Sequence, residues 1–194
     1  VVSAGKGGGE FGNRKYIQEI ENVGIDNGFD SGILNSTRNW LCFCSKQQIV
    51  ELIQKAEGMS LKWMILSWHK PNPTPFTCNK YLSDTEYIIH AFNRLPDTEF
   101  HNKYTFIVHP VEKNDFDHPT SKPLKVMKKV LLGSTKQDDI ILDPFMGTAS
   151  TGISCLDLKR KKFIGIEINE KYFNIACRRI ENYLNSKIKN NFFE

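Results

Sequence analysis

The run Ile140-Ile141-Leu142-Asp143-Pro144-Phe145-Met146-Gly147-Thr148-Ala149-Ser150-Thr151 joins a buried-strand signature to an acidic end, a small-residue turn and a helix start. Three apolar residues suit a central strand, Asp143 closes it, and Gly147 lets the backbone turn sharply and approach a ligand with no Cβ in the way. A second short apolar strand, Phe163-Ile164-Gly165-Ile166-Glu167, ends in a carboxylate 24 positions past Asp143. In a doubly wound sheet the loop after the first strand holds a ligand's core, and an acidic residue about 20 residues on bonds ribose hydroxyls. The spacing therefore fits a nucleoside site.

The rest of the chain reads as α/β. Asn39 to Cys44 suits a strand, and a helix from about Lys46 to Glu57 follows, with Ile49, Leu52, Ile53 and Ala56 at helical spacing. Lys62 to Ser67 is another buried strand. The three prolines between Pro71 and Pro75 forbid regular structure, so His69, Lys70 and Asn72 are expected on a loop at that strand's carboxyl end, which faces the crevice in open α/β sheets. Trp68 reads as packing. Glu86 to Phe92 suits strand and helix alike, and Tyr104 to Val108 is an edge or central strand. Thr120 and Ser121 are good N-cap residues, with Pro123 in the first turn of a helix carrying Leu124, Met127, Val130 and Leu131. From about Glu170 a helix places Phe173, Ala176, Ile180 and Leu184 on one core stripe, leaving Arg178, Arg179, Lys187 and Lys189 as a solvated face. Residues 1 to 36 hold a Gly-rich opening, a helix around Lys15 to Glu21 and polar turns; Gly5-Lys6 lacks the upstream Gly and following Ser or Thr of a phosphate loop.

Composition bounds the classes. At 194 residues and 40% hydrophobic the chain suits a single domain, 1–194, with a real core. Its 26 basic against 22 acidic residues give a net charge of +4, which permits nucleic-acid binding without arguing strongly for it. The five cysteines, Cys42, Cys44, Cys78, Cys155 and Cys177, show no disulfide or zinc spacing, so reduced structural thiols and no metal are expected. No apolar stretch reaches about 18 residues and no signal-peptide pattern is present, which argues for the cytoplasm rather than a membrane or secretion.

Three stretches carry a family likeness. Asp143-Pro144-Phe145-Met146-Gly147 resembles the DPFxGSGTT cofactor motif of the amino-directed DNA methyltransferases, which make N6-methyladenine or N4-methylcytosine from S-adenosylmethionine. His118-Pro119-Thr120-Ser121-Lys122-Pro123 is similar to the family's HPTQKP element, which in the beta permutation shortly precedes the cofactor motif, as it does here. Gly165-Ile166-Glu167-Ile168-Asn169-Glu170-Lys171-Tyr172-Phe173 resembles the GxExxxxY stretch, with Glu167 at the ribose-binding position. Three motifs in the family's order are more specific than any one. Weaker likeness in Phe43 to Gln47 and Trp68 to Pro73, to connecting segments of small phage-type members, extends the resemblance over most of the chain.

The resemblance implies an open, mostly parallel Rossmann-like methyltransferase sheet with helices on both faces, in circularly permuted order. It implies S-adenosylmethionine as cofactor, double-stranded DNA as partner, a bacterial or phage-infected host, and a place in restriction and modification; a homodimer is one option. Cofactor-binding residues would be Thr120, Lys122, Asp143, Phe145, Gly147, Thr148, Glu167 and Ile168, with His118 in or beside the pocket; Lys70 and Asn72 would meet the substrate. Residues 74–103 would hold a small target-recognition insertion, where Lys80, Arg94 and Lys103 are either phosphate contacts or solvated charges.

The cofactor has a zwitterionic methionine end, a ribose diol and an adenine ring. Asp143 can attract the amino end, N–H groups after Gly147 can bind the carboxylate, Thr148 or Thr151 can cap the helix or bond the ligand, and Glu167 can accept both ribose hydroxyls. Phe145 and Ile168 offer walls to the rings, and Lys122 lies near the carboxylate. Two departures stand against the family pattern. Its catalytic tetrapeptide, an Asp, Asn or Ser followed by Pro-Pro and an aromatic, has no counterpart, since the sequence has no Pro-Pro pair. An N-terminally truncated fragment, itself inactive, is the expected reading. Ala149 replaces the family's usual Gly, a change that a negative φ would accommodate. Methylation of adenine N6 on a flipped base leads; N4-cytosine, an RNA or protein substrate, and a non-catalytic DNA-binding fragment are the alternatives.

Overall fold

The computed structural model describes residues 30–73, 82, 84–95, 104–112 and 121–191, and of 189–191 the backbone alone. A short 3-10 helix, Ser31–Ser36, is capped by Asp30, whose carboxylate accepts the Gly32 N–H at 2.8 Å. It leads into β1 (Asn39–Cys44), α1 (Ile49–Gly58), β2 (Lys62–His69), β3 (Thr85–Phe92) and β4 (Phe106–Val108). Then follow α2 (Leu124–Ser134), β5 (Ile140–Asp143), α3 (Ser150–Asp157), β6 (Lys162–Gly165) and α4 (Glu170–Asn191). The first helix starts at Ile49 because Ser45 spends its N–H and hydroxyl on Gln48 Oε1, at 3.0 and 3.1 Å, closing a turn first.

Four strands form a sheet in the order β1-β3-β2-β4. β3 runs antiparallel to both neighbours and β4 parallel to β2, so β1, β2 and β4 share one direction and β4 lies at an edge. Helices cover both faces. Ile89 and Ala91 of β3 pack with Trp40, Leu61 and the Leu52 and Ala56 of α1. Ile88 turns the other way, into a core with Trp68, Ile107 and the Val126 and Val130 of α2. A strand buried on both faces loses its apolar-polar alternation, which is why Glu86 to Phe92 could not be told from a helix by pattern. It is one of the two inner strands, so within 74–103 the described residues are largely sheet; residues 74–81, 83 and 96–103 lie outside the described set.

β5 and β6 form a separate parallel pair, with Asp143 opposite Gly165. One face is covered by Met146, Ala149 and the Ala176 of α4, with Phe163 and Ile180 against them. The other leaves Ile140, Leu142 and Ile164 exposed. Among the described residues β1 bonds to a strand on one side only, and so does β5.

Two helix expectations change. Pro123 occupies the N-cap of α2 itself, without a side-chain cap, because its ring has no acceptor, and Ser121 meets Ser150 instead; Thr120 lies outside the described residues. The α4 stripe is core only in part: Ala176 is fully buried and Ile180 packs, but Phe173 and Leu184 are exposed. No described helix is long and apolar enough to cross a membrane.

A polar link ties the layers together. His90, 2% exposed on β3, meets Asn39 Oδ1 through Nε2 at 2.9 Å, while Asn39 Nδ2 donates to the Ser134 carbonyl at the end of α2 at 2.7 Å. Because the Asn39 amide donates to Ser134, its oxygen is the acceptor and His90 Nε2 carries the proton. Burial pushes this imidazole down from 6.5 to about 4. Between those values the unfolded chain binds the extra proton and the fold does not, so stability is complete above about pH 6.5 and falls as pH descends toward 4. The expected loss is on the order of 3 kcal/mol. Urea unfolding at several pH values measures it, and His90→Gln is expected to flatten that part of the slope; equal slopes in the two proteins would refute the assignment.

Candidate active site

β5 delivers Asp143 to a turn that its own sequence makes tight. Gly147 sits at φ 53°, a left-handed conformation that glycine takes without penalty. The turn is stitched to the exit of β6: Ile166 N–H donates to the Asp143 carbonyl at 2.9 Å and Met146 N–H to the Ile166 carbonyl at 3.0 Å. Close approach also explains Gly165, where an added Cβ would collide with Met146 Sδ and the Phe163 ring.

Glu167 is clamped at both oxygens. Oε2 accepts the Gly147 N–H at 2.9 Å and Oε1 the Asn169 N–H at 2.8 Å. Asn169 Oδ1 in turn accepts the N–H groups of Lys171 and Tyr172, at 3.0 and 3.3 Å, starting α4. Asp143 is held as firmly, with Oδ1 taking the Phe145 N–H at 3.1 Å and Oδ2 the Thr151 hydroxyl at 2.6 Å. Burial raises the Asp143 pKa, the bonds from Thr151 and Phe145 oppose the rise, and the charge of Glu167 adds to it; the net shift is upward. The two carboxylates therefore feel each other across the turn. Of the apolar walls, Phe145 is 64% exposed and Ile168 94% exposed, flanking this acidic pair.

Ala149 takes φ 61° and ψ 39° as the N-cap of α3, against the expected negative φ. Its N–H bonds to the Met146 carbonyl at 2.8 Å, closing the turn that leads into α3. The strain is roughly 1 kcal/mol for a residue with a Cβ, and the fully buried methyl, packed with Met146 and Ala176, offsets it.

Arg179 also departs from expectation. It is half-buried rather than part of a solvated face, and its Nη1 donates to both the carbonyl and the hydroxyl of Thr148, the latter at 2.9 Å. Thr148, only 2% exposed, donates its own hydroxyl in a hydrogen bond to Ser121 Oγ at 3.3 Å. Its side chain is thus committed within the protein. Arg178 is exposed as expected, Lys187 reaches Asp157 at 3.2 Å from the surface, and the Lys189 side chain lies outside the described residues.

A second cluster lies at the carboxyl end of β2. Lys70 and Lys122 each approach Glu86 of β3 at 2.7 Å, one at each carboxylate oxygen. Burial would raise the Glu86 pKa, but the charges and hydrogen bonds of Lys122 and Lys70 outweigh it and hold the group below its ordinary value. Ser121 Oγ, beside Lys122, meets Ser150 Oγ at 3.3 Å, so the segment ahead of α2 touches the start of α3. Lys122 thus follows a residue in contact with the first turn of α3, the helix whose Thr151 bonds Asp143. Asn72 is occupied in both directions by Val111, donating to its carbonyl at 3.1 Å and accepting its N–H at 2.7 Å, and so fastens two loops. His69 ends β2 rather than opening a loop, with Ser67 Oγ at 2.9 Å and Thr85 Oγ1 at 3.3 Å on its two nitrogens. Burial pushes the thiols of Cys42 and Cys44 up to about 12 and about 11, which leaves both protonated. His118, Thr120, Lys80 and Lys103 lie outside the described residues, and Arg94 is exposed.

The sequence reasoning missed Glu86, Ser121 as a bridge, and Arg179. Only Glu86 left a trace, as an acid beginning an otherwise apolar strand.

The sequence model of a family described as DNA methylase matches residues 12–178. The type II methyltransferase M2.DpnII of Streptococcus pneumoniae is 31% identical over 191 residues, 87% of this chain and 66% of that protein. The DNA adenine methyltransferase YhdJ of Escherichia coli is 45% identical over 65 residues, 34% of this chain and 22% of that protein. The crystal structure of an M1.HpyAVI-SAM complex superposes with a TM-score of 0.63 at 32% identity, covering 73% of each chain. This chain spans about half to two thirds of the length of the curated relatives it matches.

The Arg179 contact gives a stability test. Charged hydrogen bonds contribute about 1.5–3 kcal/mol, so Arg179→Met is expected to lower the unfolding free energy by about 2 kcal/mol, while Arg178→Met stays within about 0.5 kcal/mol. Denaturant melts of both variants decide it; equal effects would return Arg179 to the surface.

Proposed function

Since this chain belongs to the N6/N4 DNA methylase family, we propose that the whole protein transfers a methyl group from S-adenosylmethionine to the exocyclic amino group of a base flipped out of double-stranded DNA. The observation that carries this reading is the acidic pair, Asp143 and Glu167, held across the Gly147 turn. Adenine N6 is the favoured acceptor, supported by the 45% identity over 65 residues to a DNA adenine methyltransferase. Such work on DNA belongs in the cytoplasm of a bacterial or phage-infected cell.

The residues present fit the cofactor. A carboxylate has about four acceptor positions, and Glu167 uses two on backbone N–H groups, which leaves capacity for a ribose diol. A cation beside Asp143 relieves both its burial penalty and the repulsion from Glu167, which suits the ammonium end of the ligand. Phe145 and Ile168 shed water from their exposed surfaces when a flat ring covers them. Lys122, at the start of α2, supplies positive charge for the ligand's carboxylate, and Lys70 lies on the same rim toward the substrate. The bound cofactor supplies an electrophilic methyl on its sulfonium. Thr151 and the Phe145 N–H keep Asp143 oriented, and the Glu167 clamp fixes the distance between the two ligand-binding strands. Transfer is then largely a matter of positioning.

The acceptor amine needs hydrogen-bond acceptors that localise its lone pair, and the Pro-Pro tetrapeptide that supplies them in the family is missing from these 194 residues. The chain alone is therefore expected to bind the cofactor weakly at best and to give negligible turnover, while the whole protein incorporates labelled methyl into genomic DNA. Digestion of that DNA is expected to yield N6-methyladenine. In the whole protein Glu167→Ala is expected to weaken cofactor binding at least about tenfold, the loss of about 1.4 kcal/mol or more of charged hydrogen bonding. Label appearing in RNA or protein but not in DNA would overturn the reading, as would robust transfer by the 194 residues alone.

A further inference from the structure

We propose that Glu86 is a positioning residue that yokes the cofactor-side lysine to the substrate-side lysine, an inference that rests on the methyltransferase reading above. Glu86 lies on the inner strand β3 opposite Trp68, one residue inside the end of β2, and it receives one ammonium group on each oxygen. The two lysines come from distant parts of the chain. Lys70 follows β2, its backbone N–H bonded to the Asp84 carbonyl at 2.7 Å, and Lys122 precedes α2.

The surroundings favour a fixed arrangement over a loose surface pair. The side chains of Lys70, Glu86 and Lys122 are mostly sheltered. Both ammonium groups also lie over the buried Trp68 ring, at 5.1 and 6.0 Å from its centroid, and Lys122 lies 5.4 Å from that of Phe43. Two ammonium groups on one carboxylate repel each other, and only the anion between them makes the geometry stable. Removing that charge frees both lysines to part and take up water. Lys122 would then swing away from the rim that Ser121 shares with Thr148 and Ser150, and its contribution to cofactor binding would go with it. With Glu86 in place the cluster keeps one net positive charge, pre-set for an anionic group of the ligand.

The test uses the whole protein with S-adenosylmethionine and a DNA substrate. Glu86→Gln keeps the shape and removes the charge; it is expected to raise the cofactor KM about tenfold, to leave kcat at saturation within about threefold, and to leave Tm nearly unchanged. Glu86→Asp is expected to restore much of the affinity, and Lys122→Met to raise the cofactor KM to a similar degree without adding to Glu86→Gln in the double variant. A purely structural Glu86 would instead lower Tm and kcat together with no change in cofactor KM, which would overturn the proposal. So would wild-type cofactor KM in Glu86→Gln, or additive effects in the double variant. If the wild-type protein fails to bind S-adenosylmethionine, the underlying reading falls and this inference with it. If the wild type binds, Glu167→Ala does not, and Glu86→Gln behaves as wild type, the inference alone falls.

Discussion

The carboxylate of Glu167, accepting the Gly147 N–H on one oxygen and the Asn169 N–H on the other, is the constraint on which the site depends. One side chain joins the turn after β5, the exit of β6 and the cap of α4. Hydrogen bonds to a charged group contribute about 1.5–3 kcal/mol each, so this clamp outweighs the roughly 1 kcal/mol of left-handed strain at Ala149. It is also large against the 5–15 kcal/mol net stability of a typical domain. That margin explains how an alanine is tolerated in a left-handed conformation that glycine takes more readily. The clamp and the ligand-binding role proposed for Glu167 are compatible, because a carboxylate has more acceptor positions than the two the backbone uses.

A second rim is built on the opposite principle. Around Asp143 and Glu167 negative charge is concentrated and satisfied by backbone donors; around Glu86 two positive side chains share one anion over an aromatic floor. Ser121 joins the two regions through Thr148 and Ser150. The proposed ligand, with ammonium and carboxylate on one carbon, would find an anion for the first and a cation for the second, with the exposed Phe145 and Ile168 beside the acidic pair.

What could be read from the sequence was local. The strand ending at Asp143, the glycine turn and the carboxylate at position 167 follow from periodicity and spacing within one βαβ unit. The β3 strand was ambiguous because it is buried on both faces and paired to strands far away in sequence. Arg179 looked like any other basic residue on the polar side of an amphipathic helix; its partner, Thr148, lies 31 positions earlier and only the packing of α4 brings them together. The same holds for Lys70, Glu86 and Lys122, whose meeting needs the sheet to form first. The positive φ of Ala149 is hidden for a different reason: a residue with a Cβ argues against the left-handed conformation it adopts at the N-cap of α3. Phe173 and Leu184 show the converse limit, since helical spacing gives a stripe but not the extent of the surface that receives it.

Among the described residues the outer ladders of β1 and β5 meet no further strand, and Ile140, Leu142 and Ile164 beside β5 are uncovered. A strand edge with free backbone donors and acceptors beside β-branched side chains is a template for any extended segment that approaches it. An extended segment laid along either edge would satisfy those backbone groups and cover the apolar side chains at one stroke.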